Sequence, residues 1–191
     1  MNMAHRWLCR SSLWRKQVRD SVLPWTIEGL ELGSKVLEIG PGPGITTDLL
    51  ANRIDSLICM EIDGAYAAAL SRRMAGRNVH VLCGDGTASP VPDSSFDTVL
   101  CFTMLHHVPS SALQDRLLAE AARVLRPGGI FAGYDSLSSL PFRLFHTFDT
   151  AVTIEPHKLP GRLKTAGFDT VEVDVNSHAF RFRAWKSGKK A

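Results

Sequence analysis

Three glycines stand at alternating positions directly after a short apolar run. Residues 36–44 read Val-Leu-Glu-Ile-Gly-Pro-Gly-Pro-Gly, and the residues from Ile45 onward have helical character. A strand, a glycine loop and a helix in this order build a pocket at the carboxyl end of a parallel strand. Gly40, Gly42 and Gly44 allow a sharp turn and let a ligand approach without a Cβ in the way. The pattern therefore predicts a binding loop for a nucleotide-type ligand.

The spacing of the glycines bears on which ligand fits. A dinucleotide fingerprint needs its third glycine at position 45, where this chain has Ile, and Gly44 comes one residue early. Glu38 also stands two residues before the first glycine. An NAD(P)-dependent oxidoreductase on a similar sheet is therefore the less favoured alternative.

Two further acids follow the next two predicted strands. Glu61, with Ile62 and Asp63 after it, closes the second strand, where a carboxylate can accept hydrogen bonds from both ribose hydroxyls of a nucleoside. A solvated strand end is the alternative, and Asp63 fits the N-cap of the next helix better. Asp85, next to Gly86, can accept from the exocyclic amine of adenine, although an Asp between glycines is also common in plain turns.

His106 and His107 follow the fourth predicted strand and are the first candidates for contact with a substrate. Alternatively, they only pack the loop or cap the following helix. Tyr134, Asp135 and His146 are further candidates for a general base, and the sequence shows no partner for any of them.

In their order and spacing, these features resemble the motifs of the class I S-adenosylmethionine-dependent methyltransferases. The matching residues are Glu-x-Gly-x-Gly-x-Gly at 38–44, Glu61, Asp85-Gly86, Pro-x-x-x-Phe-Asp at 92–97, Leu-His-His at 105–107 and Arg-Pro-Gly-Gly at 126–129. The later motifs resemble the small-molecule branch that includes the ubiquinone and menaquinone C-methyltransferases.

The resemblance implies S-adenosylmethionine as the cofactor and methyl transfer by direct displacement. It assigns cofactor binding to Glu38, Gly40, Gly42, Gly44, Glu61, Ile62, Asp85, Gly86, Phe102 and Leu105. His106 and His107 would meet the substrate beside the sulfonium. No metal site is predicted. A methyltransferase-like subunit that binds cofactor or a partner without turnover is the alternative from another class.

The elements that position these residues alternate along the chain after a first helical segment, which Pro24 is expected to end or kink. Strands are predicted at 35–39, 56–61, 79–83, 96–102, 129–134, 170–176 and 178–185, and helices at 45–53, 64–75, 110–125 and 157–166. The last two strands are so close that they must form an antiparallel hairpin. The predicted fold is α/β: a doubly wound, mostly parallel seven-stranded sheet with helices on both faces and a C-terminal antiparallel hairpin.

The length of 191 residues and the hydrophobic content of 45% predict one domain over 1–191, and the resemblance implies that it is a methyltransferase domain. We divide it into an N-terminal helical segment (1–33), a cofactor-binding core (34–135), a short substrate-side insertion (136–156) and the last helix with the hairpin (157–191). No run approaches the roughly 20 apolar residues of a membrane span. The N-terminus lacks the apolar stretch of a signal peptide, and four cysteines without metal-type pairing favour a reducing, cytoplasmic location.

Both ends of the chain are basic, and residues 26–180 are net acidic. Basic ends could attract an anionic substrate, lipid headgroups or nucleic acid. Nucleic acid is disfavoured because Cys-Phe-Thr-Met at 101–104 stands where the base-methylating enzymes carry Asn/Asp-Pro-Pro-Tyr/Phe. Peripheral membrane contact through the basic N-terminal helix is a second prediction.

The insertion is too apolar for a bare loop, because it contains Leu137, Leu140, Phe142, Leu144, Phe145 and Phe148. These side chains either line an apolar substrate pocket or pack the insertion onto the core, and we favour the pocket. Trp7, Trp14 and Trp25 could complete it from the N-terminal helix, or pack that helix onto the core. The sequence therefore predicts a small apolar or lipid-like methyl acceptor. It contains no feature that indicates an oligomeric state.

Overall fold

The computed structural model describes residues 11–147 and 149–188, with the side chains of residues 141 and 145 excepted. Seven strands form one sheet in the order β3-β2-β1-β4-β5-β7-β6. They are Lys35–Ile39 (β1), Ser56–Glu61 (β2), Val79–Cys83 (β3), Phe96–Phe102 (β4), Leu125–Ser136 (β5), Thr170–Val175 (β6) and Ala179–Trp185 (β7). The strands β1 to β5 pair in parallel, whereas β7 runs antiparallel to both β5 and β6. The predicted fold class is confirmed, including the C-terminal hairpin.

The helices are short apart from two. The α-helices are Ser12–Gln17 (α1), Leu23–Ile27 (α2), Ile45–Leu50 (α3), Gly64–Arg73 (α4), Ser111–Val124 (α5), Leu140–Phe145 (α6) and Leu159–Thr165 (α7). A π-helical stretch, Val18–Val22, joins α1 to α2, and a single 3₁₀ turn covers Leu105–His107. Throughout residues 11–147 and 149–188, each helix falls short of the length and apolar character that a bilayer span demands.

Two hydrophobic clusters cover the two faces of the sheet, because successive strand residues point to opposite sides. Leu37, Val99 and Phe131 pack on one face with α5 and α7. Val36 and Leu100 pack on the other face with the N-terminal helices, α3 and α4. All seven residues of β4 are buried, as expected for a central parallel strand covered on both faces.

The predicted helix end at Pro24 was wrong, because the helix continues past it to Ile27, whereas the alternative of a kink stays a prediction. The N–H of Leu23 donates to the carbonyl of Val18, which gives the wider turn of a π-helix directly before the proline. A π-turn changes the backbone spacing where Pro24 lacks an N–H, so the helix is adjusted locally instead of ending.

Three basic side chains near the C-terminus bind main-chain carbonyls instead of facing solvent. Arg183 donates to the carbonyls of Thr26 (3.0 Å) and Glu28 (2.8 Å) at the end of the N-terminal helices. Arg181 donates to the carbonyl of Trp25, and Lys186 Nζ donates to the carbonyls of Ala122 and Leu125. Part of the basic C-terminal charge therefore fixes the first and last segments to the sheet; Lys189 and Lys190 lie outside the described residues.

Strand β5 begins at Leu125, four residues before the predicted start at 129. The sequence Arg-Pro-Gly-Gly at 126–129 indicated a turn. In the structure, the N–H of Gly128 donates to the carbonyls of Lys186 and Ser187, and the N–H of Lys186 donates to the carbonyl of Gly129. The pairing register with β4 shifts between Phe96 and Thr98, so the strand absorbs the extra residues as an irregularity.

Candidate functional site

A cavity of about 460 Å³ opens at the carboxyl ends of β1, β2 and β4. Eight of the residues predicted from the sequence line it: Gly40, Gly42, Glu61, Ile62, Asp85, Gly86, Phe102 and His107. Four others lie behind the wall: Glu38, Gly44, Leu105 and His106. The volume is within the range of small-molecule sites, roughly 300–1,000 Å³.

The glycine loop has a backbone that side chains rarely permit. Gly40, Gly42 and Gly44 have φ of +68°, +53° and +80°. A Cβ on Gly40 would overlap the side chain of Met104, whereas a Cβ on Gly42 would meet nothing within 4 Å. Gly40 is therefore required by both conformation and space, and Gly42 by conformation alone.

Glu38 supports the loop from beneath instead of lining the cavity. Its carboxyl group is buried and accepts hydrogen bonds from the hydroxyls of Thr46 and Thr47. The Thr47 hydroxyl lies 2.6 Å from Oε2. Burial raises the pKa of Glu38, and the threonine hydrogen bonds oppose that rise. Glu38 thus ties β1 to the first turn of α3, while Thr46 itself reaches the cavity wall.

Glu61 places a carboxylate on the wall next to the glycine loop. Oε2 accepts from the N–H of Gly42 at 2.8 Å, and Oε1 accepts from the N–H of Asp63 at 2.9 Å. Each carboxylate oxygen keeps further acceptor capacity for a ligand hydroxyl. Asp63 caps α4 through Ala65 and Tyr66, which confirms its predicted role as N-cap.

Asp85 and Gly86 close the third side of the cavity. Asp85 is exposed, and its Oδ1 accepts from the N–H of Thr87 at 2.8 Å, which is a local turn bond. Gly86 is buried, and a Cβ there would lie 2.8 Å from Cγ2 of Ile39. The turn bond leaves the second oxygen of Asp85 available to a ligand.

The segment after β4 contains a residue that the sequence analysis missed. Thr103 has φ of +48°, and its N–H donates to the carbonyl of Tyr134 at 2.8 Å. This left-handed residue turns the chain so that Met104 faces Gly40, while Leu105 enters the core. A non-glycine residue with positive φ has no sequence signature, so only the structure identifies it.

The histidines after β4 differ in their surroundings. His106 is 3% exposed, and its Nδ1 lies 2.5 Å from Oδ1 of Asp135, which is 1% exposed. His107 is half-buried on the cavity wall, with Nδ1 3.1 Å from the carbonyl oxygen of Thr150. His146, at the end of α6, is buried and lies 5.0 Å from His106 between ring centroids, and burial lowers its pKa.

The other base candidate, Tyr134, lies away from the cavity. Its ring packs against Trp25 with centroids 6.0 Å apart, and burial raises its pKa. Trp14 lines the cavity together with Val18 and Val22, whereas Trp7 lies outside the described residues. Of the two described tryptophans of the N-terminal helices, Trp14 is therefore the one on the cavity wall.

The insertion meets the cavity through polar residues, so the prediction that its apolar side chains line the pocket was wrong for those that the structure describes. Leu137 packs against the core, and the ring of Phe142 stacks on that of His146 with centroids 4.0 Å apart. Leu140 and Leu144 are 70% and 67% exposed. Phe148 lies outside the described residues, as does the side chain of Phe145. The wall residues from this segment are Asp149 and Thr150.

Known proteins resemble this chain over its core. Residues 37–133 match a family model described as a methyltransferase domain. A probable S-adenosylmethionine-dependent methyltransferase of Mycolicibacterium smegmatis is 31% identical over 74% of this chain and 54% of its own length. A demethylmenaquinone methyltransferase of Corynebacterium urealyticum is 32% identical over 63% of this chain and 46% of its own. The chain thus spans about half the length of these curated relatives.

A solved structure shows the same fold over nearly the whole chain. The PH0226 protein of Pyrococcus horikoshii superposes with a TM-score of 0.80, covers 94% of each chain and is 15% identical. At that identity the match concerns the fold alone. The family model covers half of the chain. This match and the shared fold together confirm the resemblance drawn from the motifs. The chain belongs to the methyltransferase domain family, within the class I S-adenosylmethionine-dependent methyltransferases.

Proposed function

We propose that this chain transfers a methyl group from S-adenosylmethionine to a small apolar acceptor by direct displacement. The observation that carries the proposal is one cavity with two unlike walls. The glycine loop, Glu61 and Asp85 form a polar wall at the strand ends, and Trp14, Val18 and Val22 lie on an apolar one. When bound, S-adenosylmethionine supplies an electrophilic methyl group on a sulfonium.

The polar wall fits a nucleoside with a charged tail. Gly40 and Gly42 allow close approach of the backbone, and the Glu61 carboxylate accepts from ribose hydroxyls. Asp85 and the backbone N–H of Gly86 would hold the adenine edge and Phe102 would contact the methionine portion, since all three residues line the cavity. Glu38 and Gly44 support this wall indirectly, by fixing α3 behind the loop.

The apolar wall favours an acceptor with hydrocarbon character. Trp14, Val18 and Val22 come from the N-terminal helices, and Val108 and Leu113 face them from beyond β4. The name of the relative from Corynebacterium urealyticum gives demethylmenaquinone as its acceptor.

His107 is one of the polar groups that an acceptor would meet on the cavity wall. Because the Thr150 carbonyl accepts from Nδ1, the tautomer leaves a lone pair on Nε2; this nitrogen is buried, so the ring would have to turn toward the cavity to take a proton from a hydroxyl. His106 stands behind the wall with Asp135 and acts through position, not contact. Displacement mainly requires alignment of the reactants, which supplies up to roughly 7–11 kcal/mol.

Membrane contact through the basic N-terminal helix stays a prediction. Arg15 pairs with Asp48 at 3.0 Å, and Lys16 and Arg19 both pair with Asp20, so these cations already have acidic partners. Small-molecule acceptors carried in a membrane would nevertheless reach the cavity beside this helix, since Trp14 lies on the cavity wall.

Labelled methyl transfer to matched acceptors tests the proposal. We expect a catechol or quinol with a short isoprenoid tail to have a kcat/KM about 10–100-fold above the same ring without the tail, because each buried CH₂ contributes about 0.8 kcal/mol. Trp14→Ala should reduce this advantage, whereas Trp25→Ala, which removes a ring packed on Tyr134, should preserve it.

Two results would contradict the proposed function. A preference for the tail-free ring would contradict the apolar acceptor. Cofactor binding without transfer to any acceptor would favour a catalytically silent, methyltransferase-like subunit.

A further inference from the structure

Three histidines from two distant segments converge beside the cavity. His106 and His107 lie on the 3₁₀ turn after β4, and His146 follows α6 in the insertion. One imidazole nitrogen of each lies within 4.8 Å of the other two. Ring centroids are 4.1 Å apart for His106 and His107, and 5.6 Å for His107 and His146. No sequence spacing predicts this cluster, because His146 is far from the other two histidines in the chain.

In all three histidine rings the hydrogen-bonded nitrogen is Nδ1. Nδ1 of His106 lies 2.5 Å from Asp135, Nδ1 of His107 lies 3.1 Å from the Thr150 carbonyl, and Nδ1 of His146 lies 2.8 Å from the Phe142 carbonyl. Carbonyl oxygens only accept, so Nδ1 carries the proton in His107 and His146. The carboxylate has the same effect on His106. Each neutral ring therefore keeps its lone pair on Nε2.

This arrangement matches the outer shell of metal-binding histidines. Such residues almost always donate their other ring N–H to a carboxylate or a backbone carbonyl, which fixes tautomer and orientation. Here one carboxylate and two carbonyls do so. All three Nε2 atoms are buried, and Nε2 of His106 has no hydrogen-bond partner among the described residues. A buried polar nitrogen without a hydrogen-bond partner destabilises the folded chain unless a ligand binds to it.

We propose that His106, His107 and His146 bind one divalent transition-metal ion of the zinc class through their Nε2 atoms. Three imidazoles suit Zn²⁺ and its neighbours, not Mg²⁺ or Ca²⁺, which prefer oxygen ligands. At a Zn–N distance of about 2.0–2.1 Å, tetrahedral geometry needs nitrogens about 3.3 Å apart, so the rings must move from nitrogen separations of up to 4.8 Å to close the site.

A metal ion here would have one position left for a further ligand. Catalytic zinc sites keep three protein ligands and an open fourth position. Since His107 lines the cavity, that position would face the space assigned to the acceptor. Use of that position by an acceptor oxygen rests on the proposed function, whereas metal binding itself does not. A bound ion would also take the Nε2 lone pair of His107, so His107 would not then act as a base.

Metal titration of the full chain, after chelation and dialysis, tests the site without any methyl acceptor. We expect one Zn²⁺ per chain, and a rise in the unfolding midpoint of about 5–10 °C at 100 times the dissociation constant. Mg²⁺ should have no effect. Co²⁺ should give the visible absorption bands of a tetrahedral ion. Asp135→Asn should weaken Zn²⁺ binding by 10–100-fold, because it disturbs the partner of His106.

Matched histidine variants separate this site from surface binding. His106→Gln, His107→Gln and His146→Gln should each abolish the Zn²⁺-dependent shift and the Co²⁺ bands, with far-UV circular dichroism confirming the fold. His157→Gln and His178→Gln alter exposed histidines and should leave both signals unchanged. Absence of stoichiometric Zn²⁺ binding to the wild-type chain, or retention of binding in all three cluster variants, would overturn the proposal.

Discussion

Glu61→Gln is expected to weaken S-adenosylmethionine binding by about 100-fold or more. The carboxylate accepts from two backbone N–H groups and faces the cavity. An amide can replace only one oxygen, so its NH₂ group would oppose the N–H of Gly42 or of Asp63. The proposed hydrogen bonds from the two ribose hydroxyls to this charged group contribute about 1.5–3 kcal/mol each, so losing both corresponds to two or more decades of affinity. Isothermal titration calorimetry measures it directly.

Glu31→Gln provides the matched control, because it removes the same charge from an exposed position. It should bind the cofactor as the unaltered chain does. Urea unfolding of both variants separates lost binding from lost stability. Equal affinity of Glu61→Gln and Glu31→Gln would show that Glu61 only holds the glycine loop.

Gly40→Ala should destabilise the chain more than the same change at Gly42. A left-handed conformation costs a non-glycine residue about 1–2 kcal/mol, and forcing a methyl group against Met104 adds about 1–3 kcal/mol. We therefore expect a loss of roughly 2–5 kcal/mol in the free energy of unfolding. Chemical denaturation with a constant m-value would measure it.

Two further variants identify the cause of that loss. Gly42→Ala has the same kind of φ but meets nothing within 4 Å, so it should lose only the conformational part. Combining Gly40→Ala with Met104→Ala should recover part of the stability, because the overlapping side chain is gone. Equal losses for Gly40→Ala and Gly42→Ala would exclude the Met104 contact as a cause.

The fold could be predicted because each parallel strand carries its own local signal. The apolar run over Phe96–Phe102 and the glycine loop after β1 depend on neighbours in sequence, not on distant packing. The cavity-lining positions Gly40, Glu61 and Asp85 followed from the same rule, since the carboxyl ends of parallel strands meet at one edge.

Features that depend on distant contacts could not be predicted. The hydrogen bond from His106 to Asp135 joins residues 29 apart in the chain, and Thr103 adopts its positive φ against β5. Glu38 lies next to the loop in sequence, yet its side chain points to Thr46 and Thr47 behind the wall. The π-turn before Pro24 is likewise set by packing, because proline alone indicates a helix end.

Thermal unfolding with S-adenosylmethionine, S-adenosylhomocysteine, NAD⁺ and NADPH tests the central claim most directly. At 100 times its dissociation constant, a ligand stabilises the native state by about 2.7 kcal/mol. For a chain of this size, that should raise the midpoint by about 5–10 °C. We predict this shift with the first two ligands and none with the dinucleotides. A shift with NAD⁺ or NADPH alone, or with none of the four, would contradict the assignment of the glycine-loop cavity.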